Sequence, residues 1–201
     1  MNYIIQQFDA PPDWELIQPA AIDQYNWGGS YRPKSEARLC LIRRKGFLLR
    51  IMSWEGDPRS VYKQADDPVY KDSCLEFFVN FKPSAISTGY LNFECNANGA
   101  LLCAYGDSNQ NRKSICDFGL PSPAVKPFKE TGFWGYELFI PNELIKELFG
   151  NSDFQKGDII KGNFFKCGDD TEFPHYASWT VINNPIPNFH LPKYFGTLEI
   201  G

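Results

Sequence analysis

The sequence is poor in histidine and methionine, has no closely spaced cysteine pair, and has no long apolar run. Two histidines, His175 and His190, occur in 201 residues, and no CxxC or HxxxH pair accompanies them. Structural zinc sites draw their ligands from short, regular spacings. Cys167, His175 and His190, 8 and 15 residues apart, do not offer that pattern. No stretch approaches the roughly 18 apolar residues of a membrane-spanning helix, so no membrane partner is expected. Residues 1–17, "MNYIIQQFDAPPDWELI", have neither the basic start nor the apolar core of an export signal. With Met1 as the start, the expected location is the cytoplasm. Lysine and arginine do not form long runs, the net charge is −4 and the pI about 5.2, which argues against a nucleic-acid partner. Repeats, low-complexity tracts and linkers are absent, so residues 1–201 are expected to form a single domain.

Aromatic side chains are abundant, at 16% with 17 Phe, 10 Tyr and 5 Trp in a chain that is 43% hydrophobic. That is more ring than a core ordinarily needs, and some rings are expected to line a cleft. Cys40, Cys74, Cys95, Cys103 and Cys167 fall within apolar strand-like runs. A free cysteine there behaves as a small buried hydrophobe.

The pattern along the chain is one of short strands. Residues 1–36 read as irregular because of Pro11, Pro12, Pro19, Gly28, Gly29 and Pro33. "ARLCLIRR" (37–44), a Lys45-Gly46 turn and "FLLRIMSW" (47–54) predict a hairpin. Further strands are predicted at 73–81, 89–97, 99–105, 132–140, 158–168 and 196–200, with Asn98-Gly99 as a hairpin turn. Between 106 and 131 the sequence is polar, with room for one strand. "PNELIKELF" (141–149) is the one good helix, with Leu144, Ile145 and Leu148 as its apolar stripe and Gly150 as its stop. These elements predict an all-β, antiparallel sandwich of immunoglobulin-like or jelly-roll-like type with one short helix.

Alternation assigns faces to these strands. Leu75, Phe77, Val79 and Phe81 share one side of their strand, opposite Glu76, Phe78 and Asn80. Tyr90, Asn92, Glu94 and Asn96 share a side, as do Arg50, Met52 and Trp54. Antiparallel sheets often have a solvated polar face. Carboxylates and amides interleaved with rings also suit a sugar, which needs hydrogen bonds to hydroxyls and flat surfaces against its C–H faces. Glu76 and Glu94 on one face are also a candidate carboxylate pair for a retaining glycosidase. Asp66, Asp67 and Asp72 are weak calcium candidates without EF-hand spacing. No GxSxG surrounds Ser178.

The segments "SVYKQADDPVYKDSCLEFFVNF", "GYLNFECNANGALLCAYG", "GNFFKCGDDTEFPHYASW" and "PNFHLPKYFGTLEI" resemble carbohydrate-binding module family 9 over residues 37–200. The resemblance implies a sandwich that binds sugars, with two tryptophans clamping a terminal sugar. It matches Trp179 to one clamp and Trp54 to the other. Glu55, Arg59, Asn92, Glu94, Asn96, Asn163, Lys166 and His175 become the polar candidates, with Trp179 as stacking platform and core packing as the alternative role for its ring. The family often holds structural calcium, and its modules are usually secreted and appended to a hydrolase. The expected function is non-catalytic carbohydrate binding. The alternatives are a glycoside-processing enzyme using Glu76 and Glu94, and a protein-interaction module.

Overall fold

The computed structural model of the chain describes residues 1–83 and 89–201. Its strands are β1 (Asn2–Phe8), β2 (Ala20–Ala21), β3 (Gln24–Gly28), β4 (Ser35–Ile42), β5 (Gly46–Ser53), β6 (Cys74–Asn80), β7 (Tyr90–Asn96), β8 (Leu101–Gly106), β9 (Lys113–Ser114), β10 (Val125–Glu130), β11 (Phe133–Pro141), β12 (Ile159–Gly168), β13 (His175–Ser178) and β14 (Gly196–Ile200). The α-helix among the described residues is α1 (Asn142–Phe149).

The expected hairpin forms between β4 and β5, in register from Ser35 opposite Ser53 to Ile42 opposite Gly46. Gly46 is required there. Its φ is +143°, and a Cβ would stand 2.1 Å from the Ile140 carbonyl oxygen of the neighbouring strand. The Asn98-Gly99 turn joins β7 to β8, and Asn96 Oδ1 accepts from the N–H groups of Asn98 and Ala100 at 3.1 Å to hold it closed. In α1 the buried stripe is Leu144, Ile145 and Phe149, with Leu148 half-buried. Gly150 ends the helix in the left-handed region at φ 76°, its N–H bonded to the Lys146 carbonyl.

Hydrogen bonding runs in the order β10-β11-β5-β4-β1-β14-β12-β6-β7-β8-β9, with β13 joining β12 to β3 and β2 joining β4. The curled sheet makes a two-layer sandwich. One layer holds β10, β11, β5 and β4. The other holds β14, β12, β6, β7, β8 and β9. Between them pack Leu39, Leu49 and Ile51 from the first layer and Leu75, Phe77, Phe93 and Phe164 from the second. Phe77 stacks on Phe164 with ring centroids 4.8 Å apart, and each such buried side chain contributes about 1.5–3 kcal/mol.

Two expectations are corrected. The sheet is mixed, because β1 runs parallel to both neighbours. Asn2–Ile5 pair with Thr197–Ile200, and Gln6–Phe8 pair with Cys40–Ile42. Those partners come from distant segments, so no tight turn forces the antiparallel sense. Residues 1–36 are not irregular but contain β1, β2 and β3. The local signal in β1 is faint, since only Tyr3 and Ile5 of its seven residues are buried. The five cysteines read as buried hydrophobes are buried and unpaired, while Cys116 is exposed. Among the described residues, no helix is long and apolar enough to cross a membrane.

Candidate functional site

Strand β6 is buried along its whole length, on both sides. Its inner side chains face the other layer. Its outer ones lie under the 180–195 segment, where Phe78, Tyr90, Phe165 and Cys167 pack against Ile182, Phe189 and Phe195. This covering is incomplete and leaves a cleft of about 440 Å³. Such a volume lies in the range of small-molecule sites, about 300–1,000 Å³.

Alternation and register build its floor. Glu76 and Glu94 stand directly opposite on β6 and β7, and Cys167 comes up from β12. Tyr70, from the short turn Val69–Lys71, and Tyr176, from β13, contribute rings to the walls. The 186–190 stretch adds Phe189, His190 and Asn188, while Asn109 and Arg112 reach in from between β8 and β9. Asp169 completes the lining next to Tyr176.

The polar groups are held in place by one another. Arg112 Nη1 donates to Glu94 Oε1 at 2.7 Å, and Asn92 Nδ2 donates to the same oxygen at 3.0 Å. Burial pushes the Glu94 carboxyl up, and Arg112 opposes the shift. Glu76 is pushed well above the carboxylate range by burial, with Cys167 and Glu94 adding to it. The Cys167 thiol donates to its Oε1 at 3.0 Å. Burial likewise raises Asp169, and burial together with Asp169 lifts the Tyr176 phenol to about 12. His190 rests on the Phe78 ring at 4.8 Å, and its Nδ1 pairs with the Tyr90 hydroxyl at 2.8 Å. Burial and the nearby Arg112 depress it to about 3, so it stays neutral near pH 7.

Of the ten side chains expected at a sugar site, Glu94 lines this cleft and Asn92 supports it from beside Glu94. The others lie elsewhere. Glu55, Lys166 and His175 form a buried network with Ser73 and Trp134. Lys166 Nζ donates to Ser73 Oγ at 2.8 Å and to His175 Nε2 at 2.6 Å, and lies 3.5 Å from Glu55 Oε2. Ser73 and Trp134 also donate to that carboxylate. Burial works to raise the Glu55 carboxyl, but Lys166, Ser73 and Trp134 outweigh it and hold the group low. Burial, then Lys166, depresses His175 to about 4.

Arg59 and Asn96 serve a loop anchor. Asp72 pairs with Arg59 and accepts from the N–H groups of Val61 and Tyr62 at 2.8 and 3.0 Å and from Asn96 Nδ2 at 2.8 Å. Asp66 and Asp67, the other calcium candidates, brace separate places. Asp66 accepts from Ser114 and Cys103, and Asp67 from the N–H groups of Lys63 and Gln64. Among the described residues, none of the three belongs to a cluster of metal-ligating groups. Asn163 Oδ1 accepts from the Thr180 N–H, fixing the start of the covering segment.

Trp179 is a core side chain. It is 6% exposed, lies in the layer between the sheets, and meets Tyr3 edge-on at 6.3 Å and Phe164 at 5.8 Å. Trp54 is 37% exposed, at the end of β5 in the opposite layer, with Lys34 Nζ 4.1 Å above its ring. Arg50, Met52 and Trp54 therefore belong to a surface remote from Glu76 and Glu94. The rings at the cleft are Tyr70, Tyr176 and Phe189. A signal for Tyr176 lies within "FPHYASW": His175, Ala177 and Trp179 alternate inward, which turns Tyr176 out.

The carbohydrate-binding family 9 model matches residues 7–200. Five solved chains match as well. A protein from Bacteroides uniformis ATCC 8492, provisionally named a carbohydrate-binding protein, is 30% identical, with a TM-score of 0.79 over 100% of this chain and 99% of that one. A family 9 carbohydrate-binding module from Caldicellulosiruptor kristjanssonii, solved with cellotriose, is 13% identical with a TM-score of 0.70 over 100% of this chain and 93% of that one. A family 9 module from the same organism, solved with glucose, is 12% identical with a TM-score of 0.67 over 100% and 96%. No curated protein matches the chain. The family model spans almost the whole sequence: this chain belongs to carbohydrate-binding family 9.

Proposed function

We propose that the protein binds carbohydrate without transforming it, in the cleft bounded by Tyr70, Tyr176 and Phe189. The observation that carries this reading is the composition of the cleft. Rings form its walls, while Glu94, Arg112, Asn109, Asp169 and Asn188 present hydrogen-bonding groups among them. A pyranose needs both, and a preset ion pair such as Glu94–Arg112 engages vicinal hydroxyls without reorganising. Family membership supports the reading, and the modules solved with cellotriose and glucose make those two sugars the first ligands to try.

Calorimetric titration with glucose and cellotriose is expected to give saturable binding with no product released. Tyr176→Ala should weaken it by roughly 2 kcal/mol, the scale of a binding hot spot. Normal binding by both Tyr176→Ala and Arg112→Ala would place the sugar elsewhere. Failure to bind any sugar on a glycan array would remove the function.

One observation favours a second reading as a glycosidase. Glu76 and Glu94 are opposed in the same cleft, and directly opposed residues of an antiparallel pair are about 4.5–5.5 Å apart at Cα. Glu94 is already engaged by Arg112 and Asn92, which suits a fixed binding group better than a nucleophile. Release of phenol from aryl glycosides, abolished by Glu94→Gln, would establish the enzyme instead.

A further inference from the structure

We propose that Cys74, Glu76 and Cys167 form a binding site for a thiophilic divalent cation, with zinc as the natural occupant, at the base of the cleft. Cys74 and Glu76 are two residues apart on β6 and therefore share a face. Cys167 is the register partner of Cys74 across the β6–β12 ladder. The two sulfurs and a carboxylate oxygen all lie within 4.8 Å of one another, and all three side chains are buried. Nothing in the linear spacing announces this arrangement, because Cys167 stands 91 residues beyond Glu76.

The donor set decides which cation. Two sulfurs and one oxygen match zinc, cobalt(II) or cadmium, whereas calcium and magnesium take all-oxygen shells.

Glu76 also differs from the neighbouring buried acids in its charge pairing. The other buried acids around these strands each have a basic partner: Glu94 has Arg112, Glu55 has Lys166 and Asp72 has Arg59. Glu76 is 2% exposed, and no lysine or arginine pairs with it among the described residues. A buried carboxyl with no counter-charge stays protonated. A divalent ion between it and the two sulfurs takes the place of the protons and supplies the counter-charge.

Access exists as well. Glu76 and Cys167 both line the cleft, which leaves a side from which an ion can enter and a water can complete its shell. Binding deprotonates both thiols, and the carboxyl where it carries a proton. Two or three protons then leave through the cleft for each ion bound, and the site retains a net charge of about −1.

The inference does not rest on the carbohydrate reading, and its test contains no sugar. Reduced, metal-free full-length protein titrated with cobalt(II) chloride should develop near-ultraviolet thiolate-to-cobalt absorption, saturating at about one ion per chain, and zinc should displace it. Cys74→Ser and Cys167→Ser should each weaken binding about tenfold or more. Glu76→Gln, the mildest change, should also weaken it and keeps the test open if a serine variant fails to fold. Cys116→Ser removes the exposed thiol that adventitious cobalt would use and should change nothing. Absence of the absorption in the reduced wild type overturns the proposal. So does its persistence in all three site variants, or its loss in Cys116→Ser.

Discussion

Trp179→Ala is expected to damage the fold and leave the cleft working. The indole is wedged between Tyr3 and Phe164, and a Cβ on Gly196 would come within 2.4 Å of its Cζ3 atom. Backbone therefore closes over one edge, and collapse into the vacated space is restricted. Truncating a buried aromatic to alanine in such a place costs about 3–5 kcal/mol. For a domain of this size each kcal/mol moves the melting temperature by about 2–4 °C, which gives a fall of roughly 6–20 °C. The cleft lies on the far side of β12 from this ring, so sugar affinity should stay within about threefold wherever the variant is folded, as expected of distant sites. Tyr176→Ala should do the reverse, since its ring is half-buried and lines the cleft. The measurements are near-ultraviolet circular dichroism melts and calorimetric titrations below the lower transition. A Trp179→Ala protein that melts like wild type but no longer binds sugar would refute both the core assignment and the placement of the site.

Lys166→Met should cost about 3–5 kcal/mol, because it strands the buried Glu55 carboxylate. Adding Glu55→Gln should recover part of that loss, and urea midpoints of the four proteins in the cycle would show whether the pair is coupled. A pH effect follows from His190. Its folded-state value of about 3 lies below the ordinary 6.5, so between these limits the unfolded chain takes up a proton that the folded one refuses. Stability should therefore fall as pH drops from 6.5, by up to about 1.4 kcal/mol per pH unit from this group. His190→Gln should flatten the wild-type dependence by that amount in urea titrations between pH 6.5 and 4. An unchanged slope would mean that the ring is not held neutral by its surroundings.

The fold was legible where one local rule sufficed. Alternation marks β6 and β7 because Leu75, Phe77, Leu91 and Phe93 face inward, and Asn98-Gly99 and Gly46 mark turns that their backbone angles require. The parallel pairing of β1 was not legible, since register with residues 40–42 and 197–200 is a property of distant segments. The site divides along the same line. Its floor follows from strand parity, which places Glu76 and Glu94 together. Its walls, Tyr176 on β13 apart, come from loops and turns, where no periodicity operates. Parity turns two of the residues matched by the family resemblance away from this cleft. Lys166 alternates with Phe164 and so points into the sandwich, and Trp179 falls in phase with Ala177. Tyr70 and Tyr176, by contrast, stand at the cleft.

The splitting of β1 between the two layers has a consequence for how the chain acquires its structure. β1 leaves the ribosome about 195 residues ahead of half of its partners, since Asn2 pairs with Thr197. At translation rates of about 5–20 residues per second, that wait lasts roughly ten seconds or more. During it the N-terminal segment has unpaired backbone groups that invite pairing with another chain. Contacts of such sequence separation also make folding slow, because loop closure precedes the reward of pairing. The β1–β14 half of the seam that joins the layers therefore cannot close until residues 197–200 have been made.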